Sequence, residues 1–253
     1  MNSDILVSVI TVCYNSEKTI TQTIESVLGQ TYDKIEYIIV DGGSGDRTVD
    51  IIKKYAKASQ GKIRWISEPD KGIYDAMNKG IRMASGILVG IINSDDYYES
   101  DAIEQIVIHM QNDPYQILYG FTRALRDGKE DSIFINSPEF LQNRMISHPS
   151  CFVSKKIYDD FGTYSMKYTS VADYDFMLRM QQKKEVKFVP VYKLIANFRT
   201  GGMSSTAKAY LDLVKLQKDY GMISKREYHS IKIKSVILDC LKMVMPKGRR
   251  KNS

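Results

Sequence analysis

The stretch that decides the fold runs from Leu88 to Tyr98 and reads L-V-G-I-I-N-S-D-D-Y-Y. Its first five residues are apolar or glycine without alternation, which is typical of a parallel strand buried on both faces. Polar residues then replace the apolar run abruptly at Asn93–Asp96. Because ligands of open α/β sheets bind at the carboxyl ends of such strands, we expect a binding site at this point of the chain.

The adjacent carboxylates of Asp95 and Asp96 support two interpretations. Two such charges repel each other unless a cation or hydrogen-bond donors offset them. Hard oxygen ligands suit Mn²⁺ or Mg²⁺, especially an ion that also binds phosphate oxygens, so the pair predicts a metal–diphosphate site. Alternatively, one of the two aspartates caps the helix that follows, as aspartate commonly does.

Strands and helices alternate through the first hundred residues. We predict helices near 17–28, 48–58 and 72–84, between strands at Val7–Cys13, Ile35–Val40, Ile63–Ile66 and Leu88–Ile92. This alternation is typical of the α/β class, with a doubly wound, mostly parallel sheet and helices on both faces.

The second half of the chain is less regular. We predict helices near 102–111 and 171–182, and strands or extended segments near 117–121, 133, 151–153, 186–189 and 194–198. Two further helices, near 208–220 and 225–245, form a C-terminal helical extension.

Composition indicates an ordinary globular protein, with 43% hydrophobic and 26% charged residues in 253. The three cysteines are far apart and form no disulfide or zinc framework, which favours a reducing cytoplasm. The polar start is not typical of a signal peptide, and the sequence has no apolar run of the roughly 18 residues that a membrane span needs.

The net charge of +6 is concentrated at the C-terminus. Residues 224–253 contain nine lysines and arginines against two acidic residues, so the rest of the chain is close to neutral. Apolar residues between the lysines predict a basic amphipathic helix, which suits an anionic membrane surface. Nucleic acid is the rival partner, but the segment shows neither aromatic interleaving nor a recognised module, so we expect no nucleic-acid partner. A helix packed on the domain is the alternative.

The second strand ends at Asp41, before the glycine-rich loop 42–46. The dinucleotide pattern G-x-G-x-x-G fails here, because Thr48 occupies its sixth position and the glycines follow the second strand. An acidic residue at a strand end can accept an N–H from a nucleobase, while glycines allow close backbone approach. A glycine-rich turn capped by Asp46 is the alternative.

Seven segments from Val7 to Ser204 carry a family resemblance. They read V-S-V-I-T-V-C-Y-N from Val7, I-I-V-D-G-G-S-G-D-R-T from Ile38, E-P-D-K-G-I-Y-D-A-M-N-K-G-I from Glu68, N-S-D-D from Asn93, S-H-P-S from Ser147, A-D-Y-D-F-M-L-R from Ala172 and N-F-R-T-G-G-M-S from Asn197. In this order they resemble the inverting, nucleotide-sugar-dependent glycosyltransferases of the GT-A fold, a large family that builds bacterial surface polysaccharides.

The resemblance implies a GT-A domain over 1–205, with a nucleotide-binding half at about 1–100 and an acceptor half at about 101–205. The helices and basic tail of 206–253 follow it. It implies transfer of one hexosyl or N-acetylhexosaminyl group from a nucleotide diphosphate sugar, with UDP favoured, to a saccharide acceptor. A lipid-linked acceptor would place the enzyme in the cytoplasm, peripheral to the inner face of the membrane.

The resemblance also implies roles for individual residues. Asp95 and Asp96 match the metal-binding motif for Mn²⁺ or Mg²⁺, and Asn93 stands where the family often has Asp. His148, Gly201 and Gly202 fall on the acceptor or diphosphate side. The nucleotide-binding positions are Thr11, Tyr14, Asn15, Asp41, Asp75, Asn78, Lys79, Asn93 and Asp95.

Asp173 matches the family's catalytic base, with Ala172 in place of the usual glutamate. An inverting transfer needs a carboxylate that takes the proton from the acceptor hydroxyl. Asp175 is the alternative base, but it lies on a different helix face, and Arg179 four residues later favours an ion pair for it.

Two other classes stay open from the sequence. A nucleotidyltransferase would use a similar sheet and metal site, although Tyr14-Asn15-Ser16 lacks its basic glycine-rich signature. A non-catalytic nucleotide-sugar-binding protein would need neither Asp173 nor the loop at His148.

Overall fold

A computed structural model describes residues 5–202 and 206–244, with side chains as far as residue 235. It confirms the α/β class, with helices on both faces of a sheet. The strands are β1 Val7–Cys13, β2 Ile35–Asp41, β3 Ile63–Ser67, β4 Leu88–Asn93, β5 Tyr97–Tyr98, β6 Gln116–Arg126, β7 Lys129–Phe134, β8 Cys151–Ser154 and β9 Lys187–Arg199. The helices are α1 Ile20–Leu28, α2 Thr48–Ala58, α3 Ile73–Met83, α4 Ala102–His109, α5 Lys155–Phe161, α6 Ala172–Gln181, α7 Ala207–Asp219 and α8 Lys225–Val244.

The strand order is β3-β2-β1-β4-β8-β6-β9-β5, and β7 pairs with β6. The first four strands are parallel, as the alternation of strands and helices predicted. The second half of the sheet is mixed, because β8 runs antiparallel to both of its neighbours, β4 and β6, while β6 and β9 are parallel.

Strand β4 explains why the sequence shows an unbroken apolar run. Leu88 and Ile92 pack into a core beneath α1, α2 and α4, whereas Val89 and Ile91 pack on the opposite face beneath α3, α5 and α6. Both faces of the strand are therefore withdrawn from water, and no position between Leu88 and Ile92 accepts a polar side chain at low cost.

The helix-cap interpretation of Asp95 and Asp96 is wrong. The chain continues from them into the short strand β5, and α4 begins only at Ala102, with Asp101 at its N-cap. The two aspartates lie between two strands that pair with different neighbours, so helix capping does not account for them.

Two features of the second half escaped the sequence prediction. The separate strands expected near 186–189 and 194–198 are one strand, β9, in which a β-bulge at Tyr192 and Lys193 interrupts the apolar pattern. Helix α5 has seven residues, of which only Ile157 and Tyr158 are buried, so it carries too little periodicity to be recognised.

The C-terminal extension is helical, as predicted, and α7 packs on the domain through fully buried Leu216 and partly buried Leu213. The expected boundary at 205 and the basic end from 245 onward lie outside the described residues. In the described part of the chain, no helix combines the length and the apolar character that crossing a bilayer requires.

We expect Gly90→Ala to destabilise the fold by about 1–3 kcal/mol, as overpacking in a dense core does. A Cβ atom at Gly90 would lie 2.4 Å from Cε1 of the fully buried Phe152 ring. Urea unfolding followed by circular dichroism measures the change. Gly45→Ala is the matched control, because a Cβ there meets nothing within 4 Å; equal stability of the two variants would contradict this account of β4.

Candidate active site

A cavity of about 950 Å³ opens where β1 and β4 end. The first residues of α3, the loop before α6 and the end of β9 complete its wall. The sheet therefore places the site at the carboxyl ends of its parallel strands, as the sequence predicted. Seven of the predicted residues line this cavity, namely Tyr14, Asn15, Asn93, Asp95, His148, Asp173 and Gly202.

The other predicted residues lie outside the cavity wall. They are Thr11, Asp41, Asp75, Asn78, Lys79, Asp96 and Gly201. Thr11 is fully buried and its hydroxyl contacts the Tyr37 hydroxyl at 3.0 Å. Gly201, with a φ of 100°, supplies the left-handed backbone of the turn that brings Gly202 to the cavity.

Asp41 organises the glycine-rich loop. Its carboxylate accepts hydrogen bonds from the backbone N–H groups of Gly43 and Ser44 and from the hydroxyls of Ser44 and Ser67. Burial acts to raise the pKa of Asp41, but these hydrogen bonds outweigh it and the pKa lies below its usual value. The charge of Asp41 is thus used in holding the loop beside the cavity.

Helix α3 turns its predicted polar residues away from the cavity. Asn78 is buried and makes a two-way hydrogen-bond pair with the backbone of Tyr164, at 2.9 and 3.0 Å. Lys79 Nζ forms an ion pair with Glu68 at 2.8 Å, and Asp75 accepts from the backbone of Lys71 at 3.0 Å. The cavity side of α3 consists instead of Ile73, Tyr74, Ala76 and Met77.

The end of β1 forms one rim of the cavity. Tyr14 is 64% exposed there, which leaves its ring available for stacking. Asn15 has a left-handed φ of 49°, and its side-chain oxygen accepts from the Gly45 N–H at 2.9 Å. The hydroxyls of Ser16 and Ser94 lie 2.7 Å apart, so this rim is tied directly to the end of β4.

Asp95 and Asp96 have different surroundings. Asp95 lines the cavity, and a Cβ at Gly202 would lie 3.7 Å from its Oδ2. Asp96 is fully buried, and its Oδ1 accepts from the Arg199 backbone N–H at 2.9 Å. Burial, and then the charge of Asp95, raise the pKa of Asp96 well above its usual value. Its Oδ2 is buried and has no hydrogen-bond partner among the described residues.

Asp173 is held by donors from two other segments. Its Oδ1 accepts from the Tyr74 hydroxyl at 2.7 Å, and its Oδ2 lies 3.1 Å from His148 Nδ1. Burial, and then the charge of Asp173, raise the pKa of Tyr74 well above 10, so this hydroxyl keeps its proton. The side chain of Asp173 is 10% exposed, at the cavity wall.

The second aspartate of the same helix has a structural role. Asp175 forms the predicted ion pair with Arg179, at 3.0 Å, and accepts from the Tyr220 hydroxyl at 2.9 Å. Its carboxylate faces α7 instead of the cavity. This confirms the ion pair that the spacing of the two residues indicated.

Sequence reasoning missed several residues of the cavity wall, among them Lys18, Asp70, Tyr74, Phe134, Met145, Ser170 and Arg199. Asp70 lies in a segment that was recognised, and its Oδ1 accepts from the Gly72 N–H at 2.8 Å. A Cβ at Gly42 would lie only 2.3 Å from Asp70 Oδ2, so glycine at 42 lets the two loops meet. Arg199 directly follows the segment 194–198 that was predicted to be extended. A polar side chain at the end of a strand could have indicated a residue of the cavity wall.

The donor set is compatible with a hard divalent cation. Glu17, Asp46, Asp70, Asp95 and Asp173 line the cavity, against the permanent cations Lys18 and Arg199. The Arg199 guanidinium already donates to the Asp95 carbonyl and to Gln22. Within the described residues no group of three His, Cys, Asp or Glu side chains is placed to hold a metal. Mg²⁺ does not require such a group, because it commonly binds through one or two carboxylates plus phosphate oxygens.

Comparison with known proteins gives the family. The profile of glycosyl transferase family 2 matches residues 8–181. An uncharacterized glycosyltransferase of Mycobacterium tuberculosis is 32% identical over 212 residues, which is 81% of this chain and 79% of that protein. Neither the nucleotidyltransferase nor the non-catalytic alternative receives support from these matches.

Solved structures show the same fold. S. aureus TarS in complex with UDP-GlcNAc superposes with a TM-score of 0.66 at 18% identity, covering 83% of this chain and 65% of that one. A mannosyltransferase of Pyrobaculum calidifontis, in complex with GDP-Man and Mn²⁺, gives 0.66 at 15% identity, covering 88% and 66%. This chain thus spans about two thirds of the length of either structure. The chain has the GT-A fold and belongs to glycosyl transferase family 2.

Proposed function

We propose that this glycosyltransferase is a metal-dependent, inverting enzyme that moves one sugar from a nucleotide diphosphate donor to a saccharide acceptor. The observation that carries the proposal is the placement of Asp173. Its carboxylate stands at the wall of the cavity, fixed by Tyr74 and His148 on two sides. An oriented, largely buried carboxylate at the wall of a cavity suits removal of a proton from an acceptor hydroxyl.

In the proposed reaction, the acceptor oxygen attacks C1 of the donor sugar from the face opposite the diphosphate. The new C1–O bond forms as the bond between C1 and the diphosphate oxygen breaks, and the leaving oxygen keeps the electron pair. Asp173 takes the hydroxyl proton. Its Oδ1 already accepts from Tyr74 and from the Tyr174 N–H, whereas Oδ2 accepts only from His148 among the described residues, so Oδ2 is the better candidate for the proton.

The donor nucleotide is proposed to bind at the rim formed by Tyr14 and Asn15. The exposed Tyr14 ring offers a stacking surface for the base, and the loop fixed by Asp41 forms the adjacent wall. UDP is the favoured nucleotide, from the resemblance in sequence. The TarS structure holds UDP-GlcNAc and the mannosyltransferase structure holds GDP-Man, so the fold accommodates either nucleotide.

Mn²⁺ or Mg²⁺ is proposed to bind at Asp95, with Asp96 as the second expected ligand. Five carboxylates line the cavity, so an anionic diphosphate needs positive charge that the side chains do not fully supply. A divalent cation would offset the charge on the departing diphosphate. The unpartnered Oδ2 of buried Asp96 and the exposure of Asp95 to the cavity support this site.

The acceptor is proposed to be lipid-linked and part of surface polysaccharide synthesis, with the enzyme peripheral to an anionic membrane. Helix α8 supports the membrane contact: of its described side chains, Lys225, Arg226, Lys232, Ile233 and Lys234 are all exposed. Basic residues near an anionic surface contribute about 1 kcal/mol each.

Asp173→Asn is expected to slow sugar transfer by about 10²–10⁴-fold, because the amide cannot take the hydroxyl proton. Binding of the donor nucleotide should persist, since Asn keeps the shape of the side chain. Radiolabelled donor in single-turnover assays measures the rate, and calorimetry measures the binding.

Asp175→Asn is the matched control, as the same substitution two residues later. It should lower the melting temperature, through loss of the contacts with Arg179 and Tyr220, but leave transfer by the folded protein close to wild type. Near-normal transfer by Asp173→Asn would remove this residue from the mechanism.

Calorimetric titration with UDP, GDP, CDP and dTDP tests the donor site. We expect one nucleotide to bind tightly, and only with Mn²⁺ or Mg²⁺ present. Asp95→Asn should abolish the metal-dependent part of the binding, whereas Asp50→Asn, at an exposed position of α2, should not. Binding that is indifferent to metal in the wild type would contradict the proposed cation site.

Truncation at Ser224, which removes α8 and the basic end, should release the protein from anionic vesicles in a sedimentation assay. The full chain should co-sediment with vesicles that contain phosphatidylserine and not with neutral phosphatidylcholine vesicles. Higher salt should weaken the binding, because it screens exposed charges. Equal co-sedimentation of the full and truncated chains would rule out the membrane role of the tail.

A further inference from the structure

The loop between α5 and α6 leads directly to the proposed base. Residues 162–171 contain no helix or strand, and Asp173 is the second residue of the helix that follows. Val171, at the N-cap of α6, supplies no side-chain hydrogen bond to the first turn. Because helix ends fray unless their polar groups are satisfied, the position of Asp173 depends on how this loop is held.

Asp212 of α7 binds the last part of the loop. Its Oδ2 accepts from the backbone N–H of Thr169 at 2.5 Å, from the backbone N–H of Ser170 at 2.9 Å and from the Thr169 hydroxyl at 3.0 Å. The roles of the two backbone contacts are fixed, because a backbone N–H only donates. Ser170 also lines the cavity, so Asp212 holds a part of the cavity wall from outside.

The first part of the loop is anchored elsewhere. Asn78 of α3 makes its two-way hydrogen-bond pair with the backbone of Tyr164. Arg179 Nη2, on α6 itself, donates to the Thr163 carbonyl at 2.7 Å. Both anchors lie well before residues 169 and 170, so they do not fix the point at which the chain enters α6.

Other residues of α7 contact the same second half of the loop as Asp212. The hydroxyl of buried Tyr168 donates to Asp219 at 3.0 Å, and Lys215 Nζ donates to the Lys167 carbonyl at 3.1 Å. Helix α7 therefore supports the loop over residues 167–170, and Asp212 makes the contact that lies nearest to the base in sequence.

We propose that Asp212 is a positioning residue for sugar transfer, which fixes residues 169 and 170 so that Asp173 keeps its place between Tyr74 and His148. This inference rests on the proposed role of Asp173 as the base. The Asp173 carboxylate lies 2.7 Å from the Tyr74 hydroxyl and 3.1 Å from His148 Nδ1. A shift of the first turn of α6 would break this geometry, and a misplacement of about 1 Å can cost about 10²-fold in rate.

The chain offers a matched control on the same helix. The Tyr220 hydroxyl of α7 donates to Asp175 Oδ1 of α6 at 2.9 Å. Neither residue lines the cavity, and Asp175 also has its ion pair with Arg179. Tyr220→Phe thus removes the hydrogen bonding of one α7 hydroxyl to α6 without changing the loop before Asp173.

Hydrogen exchange of the intact chain, without ligand, tests the contact itself. The amides of Thr169 and Ser170 should be protected in the wild type, because a hydrogen-bonded amide exchanges only when its bond opens. Both should exchange faster in Asp212→Ala and should not change in Tyr220→Phe. Wild-type amides that exchange as fast as those of an unfolded chain would overturn the proposal, even if Asp212→Ala fails to fold.

Single-turnover transfer, measured as for Asp173→Asn, tests the consequence. Asp212→Ala should lower the transfer rate by about 10–100-fold, because the base is misplaced. Calorimetry should give the wild-type affinity for the nucleotide that the wild type binds. Asp212→Asn should recover most of the rate, since its amide oxygen can still accept from both N–H groups. Tyr220→Phe should transfer sugar at the wild-type rate.

Two kinetic results would overturn the positioning role. One is unchanged transfer by Asp212→Ala although the two amides exchange faster. The other is an equal loss of transfer in Asp212→Ala and Tyr220→Phe, since any weakening of α7 would then have the same effect. Failure of the proposed function is seen separately, as undiminished transfer by Asp173→Asn, whereas the exchange of the Thr169 and Ser170 amides is measured without substrate.

Discussion

The site depends on how carboxylates are satisfied after the sheet withdraws them from water. Asp41, Asp96 and Asp173 are all buried near the carboxyl ends of the parallel strands or at the helix facing them. Burying a carboxylate is costly unless it is hydrogen-bonded or protonated, so Asp41 and Asp173 fix the segments that supply their donors, whereas Asp96 keeps one oxygen without a partner among the described residues. Asp41 folds the glycine-rich loop around itself, Asp96 holds the end of β9, and Asp173 joins α6 to α3 and to the loop at His148.

The same principle separates structural carboxylates from those free to react. Among the described residues, the donors to Asp41 come from its own loop and the neighbouring strand ends, so its carboxylate already holds the loop beside the cavity. Asp95 and Asp173, in contrast, both line the cavity. In the proposed reaction, Asp95 would compensate a bound cation and Asp173 would receive a proton, so two carboxylates of one cavity would have different chemistry.

The sequence was most informative about strands whose apolar residues are continuous along the chain. Strands β1 to β4 were predicted because their apolar runs are long and unbroken, and the rule for parallel strands then gave the location of the cavity. The sequence was least informative about which face of a helix lies toward the cavity. Asp75, Asn78 and Lys79 share one face of α3 by their spacing, but tertiary packing turns Tyr74 and Met77 to the cavity. Burial of Tyr74 against Tyr164 depends on a residue ninety positions away, which no local pattern contains.

Helix α7 lies beyond residues 8–181 that match the family profile, yet it supports the site. Asp212 accepts from the backbone N–H groups of Thr169 and Ser170, and Tyr220 donates to Asp175. The loop that enters α6 is therefore braced from outside the matched region, one turn away from Asp173. Helix α8 has no comparable contacts with α6 among its described side chains. The extension thus has two parts, one that braces the start of α6 and one whose described basic side chains are exposed.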